Sequence, residues 1–488
     1  MCLKPRPTST MVAKNCADEA ANAERQARVK ARWGLLRQAL LGGGAKDRDS
    51  TKVGGCTNNT EQQSMHSFPG FQVLDRTILS HDDAVRVVIN NDTAILSSNE
   101  CDSDSDTWDI VQYTYTSTNT GHKVQFHTRE AATKQNEKST TIQSRMEALL
   151  SHRNYGVDNT GNVRVWDAEG TLGGFLLSLV MDYDDGVNET EEDDEQLLDL
   201  KKVLRSTLLT TYSTRQETTL STCNLLELGS GQAGLCGLAM AMASSSDNCN
   251  QTDSNKMIMK PLHVVLTDGH PKCVKNNEVC TKLLPQSCKA IVETHMLLWD
   301  SSSFEGANAC HQINKLVQSA SLSSTAKVDT TTYDEGQYHL CAASDCVHFQ
   351  EFHDGLLTTI ARTLAVNGIA LLCQPTRGTS LQNFMDLVHA VNDTTTSQST
   401  TATNETSIDG PLFLMTLYED FHPKVSEMHR SLLSKATDGT KNTTSQCSSS
   451  RYNPNWHRPL LLVLQKLRTF NEEIDGEISR RHVKRREA

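Results

Sequence analysis

From residue 223 onward, short apolar runs bounded by turn residues alternate with longer stretches whose apolar positions recur every three or four residues. Runs at 223–228 (CNLLEL), 262–266 (LHVVL), 290–298, 338–343 and 368–373 (GIALLC) read as strands by length and β-branching. The intervening stretches 235–243, 272–284, 352–364 and 381–391 read as helices. This alternation predicts a mostly parallel α/β sheet with helices on both faces. Two more apolar runs, 412–418 and 460–467, suit a terminal pair of strands, one of them antiparallel. Nearer the start, alternating runs at 84–89 (AVRVVI) and 111–115 predict a small β-rich unit within 68–126.

Composition changes how much of the chain this pattern covers. The stretches 244–256, 301–329, 392–407 and 436–450 are rich in Ser, Thr and Asn, and 182–195 is an acidic run that reads as a charged loop. Such tracts bury too little apolar surface to fold alone, so they are expected to be disordered inserts. The 488 residues are therefore expected to hold one core of roughly 250–300 residues instead of about three domains. The expected partition is a basic helix with a disordered segment at 1–65, a small β-rich region at 66–150, the α/β domain at 151–470 and a charged tail at 471–488.

Charge and cysteine usage exclude some classes. No stretch reaches the roughly 18 apolar residues of a membrane span, and charges punctuate the first thirty positions where a secretory leader would be apolar. The expectation is a cytoplasmic monomer, also nuclear if the basic tail at 480–486 acts as an import signal. A net charge of -12 argues against nonspecific nucleic-acid binding. The 15 cysteines include Cys223, Cys236, Cys273, Cys280, Cys288, Cys341, Cys346 and Cys373, several inside apolar runs, with no CxxC pair among them. They read as reduced, mostly buried thiols, forming neither a metal site nor a disulfide framework.

The segment 224–235 (NLLELGSGQAGL) carries the most chemistry: a strand runs into a glycine-rich turn and then a helix whose first N–H groups are free. The spacing also fits GxGxxG, so a dinucleotide site is a competing reading. Glu227 weighs against it, because a carboxylate beneath the turn repels a pyrophosphate and suits a ligand with a cationic amino-acid end, such as S-adenosylmethionine. Asp268, at the end of the second strand, fits the carboxylate that accepts both ribose hydroxyls, with the 244–256 insert accounting for its distance from the turn. A nicotinamide oxidoreductase would also call for a Tyr-x-x-x-Lys or His-Asp pair, which is not found. A non-catalytic scaffold of the same fold would lack an intact Glu227, Gly229, Gly231 and Asp268.

Eight segments in chain order resemble the lysine-methylating branch of the seven-β-strand methyltransferases. They are 31–38 (ARWGLLRQ), 159–166 (NTGNVRVW), 227–238 (ELGSGQAGLCGL), 266–269 (LTDG), 298–300 (LWD), 344–349 (SDCVHF), 375–384 (PTRGTSLQNF) and 458–464 (RPLLLVL). They imply a class I, Rossmann-like sheet of seven strands, S-adenosylmethionine as cofactor, and a lysine ε-amine of a protein, calmodulin first, as substrate. An elongation factor or chaperone is the alternative within the branch. The resemblance further implies that Trp166 lies near the cofactor. Glu227, Gly229, Ser230 and Gly231 would line its methionine and ribose end, and Asp268 would hold the ribose hydroxyls. Trp299 would sit against the adenine and Ser344 in the adenosine-side wall, where the family usually has a small residue. Asp345 would position the substrate amine, with Phe349 and Phe352 as candidate channel residues.

Methyl transfer requires a neutral amine, although lysine has a pKa of about 10.4. Orientation at about 3 Å and desolvation meet that demand without a dedicated base. Because calmodulin is acidic, docking would need a basic face such as 25–37 or 480–486.

Overall fold

The computed structural model describes residues 70–90, 108–131, 165–182, 194–211, 222–245, 257–299, 336–348, 350–397, 410–438, 452–471 and 475. The chain divides into two compact units. One, residues 1–65 with 135–154, lies outside the described residues, as do 159–164, Asp300, Phe349, the basic stretches 25–37 and 480–486 and most of the polar inserts. The other, residues 66–134 with 155–488, contains everything that follows.

A three-stranded antiparallel sheet comes first: β1 (Asp75–Ile78), then helix α1 (His81–Asn90), β2 (Trp108–Thr116) and β3 (Lys123–Ala131). The run 84–89, expected as a strand, is helical. Ser80 and Asp83 form a reciprocal cap, in which Ser80 Oγ donates to Asp83 at 2.6 Å and accepts the Asp83 N–H at 3.3 Å. Asp82 and Asp83 also complement the helix dipole, so the start signal overrides the β-branched run.

Two helices unforeseen in the sequence follow, α2 (Asp167–Met181) and α3 (Glu195–Leu208), leading to the short strand β4 (Leu209–Thr211). The first is apolar almost all round because it is buried almost all round, so it shows no one-sided period to read. The ends of the acidic run anchor these helices. Asp182 accepts from Tyr115 Oη at 2.5 Å and the Thr118 N–H at 2.9 Å, and Asp194 caps α3 through the Gln196 N–H.

The remaining elements are β5 (Cys223–Leu228), α4 (Leu235–Ala243), β6 (Met257–Met259), β7 (Leu262–Asp268), α5 (Pro271–Lys282), β8 (Ile291–Met296), β9 (Tyr338–Ser344), α6 (His353–Thr363), β10 (Leu364–Gln374), α7 (Ser380–Ser397), β11 (Phe413–Tyr418), α8 (Pro423–Asp438), α9 (Pro454–His457) and β12 (Leu460–Lys466). Helix α7 runs into the stretch read as an insert from residue 392. Strands β4 and β6 form a separate antiparallel pair.

The large sheet has seven strands in the order β11-β12-β10-β9-β5-β7-β8. Six run parallel, and β12 is antiparallel to both neighbours. Its two faces are separate cores. Leu225, Val264, Leu340 and Leu371 pack with α2 and α4 on one side, while Leu226, Val265, Cys341 and Leu372 pack with α6 and α7 on the other. Strand β5 starts in the middle, β7 and β8 extend one way, and β9 and β10 the other. The order therefore reverses between β5 and β9, and in open α/β sheets ligands bind outside the carboxyl ends of the strands at such a point.

The three-stranded sheet packs on this framework beside the reversal. Arg129 donates to Asn276 Oδ1 on α5 at 2.6 Å, and the Ala131 N–H donates to Gln232 in the loop after β5 at 3.1 Å. All eight cysteines singled out from the sequence carry free thiols, six of them buried. No helix among the described residues is long and apolar enough to cross a membrane.

Candidate active site

The loop leaving β5 turns at Gly229, Gly231 and Gly234, with φ of +62°, +56° and +55°. At Gly229 two demands coincide. The left-handed backbone disfavours a side chain, and a Cβ there would lie 2.7 Å from Cys346 Sγ and 2.9 Å from the Trp299 ring. The turn thus lies tightly against the loop after β9 and the end of the β8 segment.

Two carboxylates hold this turn. Glu227 is 3% exposed and lies beneath it, where Oε2 accepts the Gly237 N–H at 2.7 Å in the first turn of α4. Burial pushes its carboxyl up to about 7, opposed by hydrogen bonds from the Gly237 and Cys236 backbone. Asp268 uses both oxygens on backbone: Oδ2 accepts from Gly231 at 2.9 Å and Oδ1 from His270 at 2.7 Å. Burial raises it to about 6 against those same hydrogen bonds. Ser230 is fully buried, its hydroxyl accepting from Asn277 Nδ2 at 2.7 Å, so it contributes to the turn's internal bonding.

Asn276 and Asn277, which the sequence reading passed over, fasten α5 to the same loop. Asn277 Nδ2 also lies 3.1 Å from the Gly231 carbonyl, while Asn276 Nδ2 donates to the carbonyls of Gln232 at 2.5 Å and Arg129 at 2.6 Å. Both are buried amides in a helix otherwise read only as amphipathic. Their burial arises only in the packed fold, so the sequence carried no signal that marked them.

The second half of the site lies across the reversal, at the ends of β9 and β10. Ser344 is nearly buried, and its Oγ has no hydrogen-bond partner among the described residues. The same holds for Trp299 Nε1. Asp345 adopts a left-handed backbone (φ +56°), its N–H donating to the Cys373 carbonyl at 3.0 Å. Its carboxylate is closed by a bidentate ion pair: Arg377 Nε donates to Oδ1 at 2.7 Å and Nη2 to Oδ2. Both side chains are more than nine-tenths buried.

Arg377 in turn lies between two indoles, 5.2 Å from the Trp166 ring centre and 5.8 Å from that of Trp456. Its N–H donates to the Asn455 carbonyl at 2.8 Å, which ties the loop after β10 to the one before β12. Trp166 opens α2, with Glu169 Oε1 accepting its N–H at 3.1 Å. Arg377 lies within the 375–384 segment but was assigned no role from sequence, and Trp456 was not singled out.

Of the residues marked in advance, Glu227, Gly229, Ser230, Gly231, Asp268, Trp299 and Ser344 gather around the glycine turn. Trp166 and Asp345 form a second group through Arg377. Phe352 is half-buried where α6 begins, and Phe349 lies outside the described residues.

This sheet order, with one antiparallel strand inserted next to the edge and a glycine turn at the reversal, is the seven-stranded class I methyltransferase fold. No family model matches the chain. A stretch of 166 residues, 33% of the chain, is 29% identical to calmodulin-lysine N-methyltransferase of Arabidopsis thaliana and covers 40% of that protein's length. Among solved structures, a TehB-like SAM-dependent methyltransferase from Corynebacterium glutamicum is 11% identical over 52% of this chain and 85% of its own, with a TM-score of 0.25. An O-methyltransferase from Bacillus cereus in complex with SAH is 8% identical over 61% of this chain and 91% of its own, with a TM-score of 0.26.

Proposed function

We propose that the protein transfers methyl groups from S-adenosylmethionine to a lysine ε-amine of a protein substrate, and that this substrate is calmodulin. The observation that carries the methyltransferase reading is the turn at the sheet reversal, with Gly229 too crowded for any side chain and Gly231 held on Asp268. The residues present fit the cofactor. Asp268 retains acceptor capacity for the ribose, since a carboxylate accepts about four hydrogen bonds and three are occupied, by Gly231, His270 and the Cys273 side chain. The buried, unpartnered Trp299 Nε1 and Ser344 Oγ are a donor and a donor-acceptor in the same region.

When bound, the cofactor would supply an electrophilic methyl group on a sulfonium sulfur that can leave as a neutral thioether. The chain's part is to orient and desolvate. Asp268 and Glu227 fix the turn, and Trp166, Asp345 and Arg377 shape the side from which the amine arrives. The choice of lysine, and of calmodulin, rests on the likeness to the Arabidopsis protein of that name.

The test is transfer of labelled methyl to unmethylated calmodulin, with Asp268→Ala as control and mass spectrometry to locate the modified residue. Label on one lysine, lost in the Asp268 variant, supports both cofactor and substrate. Cofactor binding without label would sink the calmodulin assignment, and no cofactor binding would sink the methyltransferase reading.

A further inference from the structure

Asp345 stands where the acceptor amine is proposed to arrive, and it is already spoken for. Its two oxygens are both held by Arg377, and the pair is buried between Trp166 and Trp456. The other titratable groups facing this carboxylate are Glu169 from α2, Cys373 from β10, and Cys346 in its own loop. Burial holds Glu169 and both thiols well toward their neutral forms. Asp268 faces Cys346 from the end of β7, and His348 meets the Trp456 ring edge-on at 6.4 Å. Among the described residues, Arg377 is the ionised group in contact with Asp345.

Resting on the methyltransferase reading above, we propose that Arg377 is a positioning residue that sets the protonation state of the acceptor amine. By closing Asp345 it denies an incoming ammonium a bare counter-ion, so the site presents a neutral ion pair and aromatic faces. A bare carboxylate within about 4–6 Å of an amine raises its pKa by about 1–3 units and would hold it in the form that lacks a lone pair. The Asp345–Arg377 pair removes that penalty while still offering directional oxygens. Displacement of Arg377 by the substrate cation is disfavoured, because the guanidinium makes two parallel hydrogen bonds that an ammonium cannot copy.

The test is the pH dependence of kcat for labelled methyl transfer to unmethylated calmodulin, whose acidic limb reports the amine in the enzyme-substrate complex. Arg377→Gln is expected to move that limb to higher pH by about 1 unit or more, and to lower kcat at pH 7.5 at least about tenfold without raising KM. Asp345→Asn leaves the guanidinium unopposed and is expected to move the limb the other way. The double variant Asp345→Asn/Arg377→Gln returns it to the wild-type position, and Arg377→Lys keeps most of it there. Uniform loss of activity with an unmoved limb in both single variants would overturn the proposal. If Arg377→Gln does not fold, the downward shift in Asp345→Asn carries the comparison alone.

A second readout needs no turnover. In the presence of S-adenosylhomocysteine, n-butylammonium is expected to bind Arg377→Gln at least about tenfold more tightly than wild type or the double variant, measured by calorimetry. Equal binding by all three would overturn the proposal whatever the activity assays show. Methyl transfer to calmodulin absent in wild type, together with the expected n-butylammonium pattern, would sink the calmodulin assignment and leave Arg377 as the group that neutralises this carboxylate; no binding of S-adenosylhomocysteine would remove the methyltransferase reading.

Discussion

The two halves of the site are held together by different chemistry. On the β5–β7 side, carboxylates grip backbone N–H groups: Glu227 the start of α4, Asp268 both Gly231 and His270. On the β9–β10 side a carboxylate grips a side chain, Asp345 to Arg377, and aromatic rings flank the pair. A carboxylate that binds backbone positions the chain itself and leaves its charge uncompensated. One that binds a guanidinium is neutralised and positions whatever enters beside it. The first arrangement suits a fixed cradle for a cationic ligand, and the second suits a guest that must arrive without its proton.

Cutting the ion pair gives the largest expected effect. Arg377→Ala leaves Asp345 buried without a partner and is expected to cost about 3–5 kcal/mol in urea unfolding, most of it regained in Asp345→Asn/Arg377→Gln. A loss below about 1 kcal/mol would mean that water reaches the carboxylate.

The β5–β7 half should instead reveal itself by pH. Glu227 has its folded value raised to about 7 from an ordinary 4.5, so the folded chain holds this proton more tightly than the unfolded one. Its contribution is fully present below about pH 4.5 and is lost as the pH rises to about 7, a change of roughly 3 kcal/mol at about 1.36 per unit. Urea midpoints between pH 4.5 and 8 are expected to fall less steeply in Glu227→Gln than in wild type. Equal slopes would show that Glu227 titrates normally.

Crowding at the turn sets the third effect. Gly229→Val is expected to weaken S-adenosylmethionine binding about 100-fold or more by calorimetry, since its side chain meets Cys346 and Trp299 at a φ suited to glycine. A change under tenfold would mean that the loops yield.

The smallest concerns the attachment of the three-stranded sheet. Asn276→Ala removes donors to Arg129 and Gln232 and is expected to cost about 2 kcal/mol, with faster amide exchange in β3. Unchanged exchange there would mean that the sheet is held by its apolar contacts.

Legibility in the sequence followed the range of the interactions. The strand-turn-helix at 223–243 was readable to the residue because its causes are local: apolar alternation, glycines at forced φ and a helix start. Asp268 was found the same way, as the last residue of a buried strand. Helix α2 was missed because burial on nearly every side erased its period, and 84–89 was misread because β-branching was weighed over the Ser80–Asp83 cap. Arg377, Trp456, Asn276 and Asn277 carried no local mark of their partners. Arg377 is 32 positions from Asp345, and Asn276 is 147 from Arg129.

By itself the sequence determined the alternation of strands and helices, the terminal strand pair and the glycine turn with its two carboxylates. These follow from backbone geometry and side-chain period within a few residues. Only the tertiary structure decided that the strand order reverses between β5 and β9, that β12 is the one of the two terminal strands to enter antiparallel, and that Asp345 meets Arg377 beside two tryptophans. Those outcomes depend on which distant segments exclude water from one another, a property of the packed whole that no short window of residues contains.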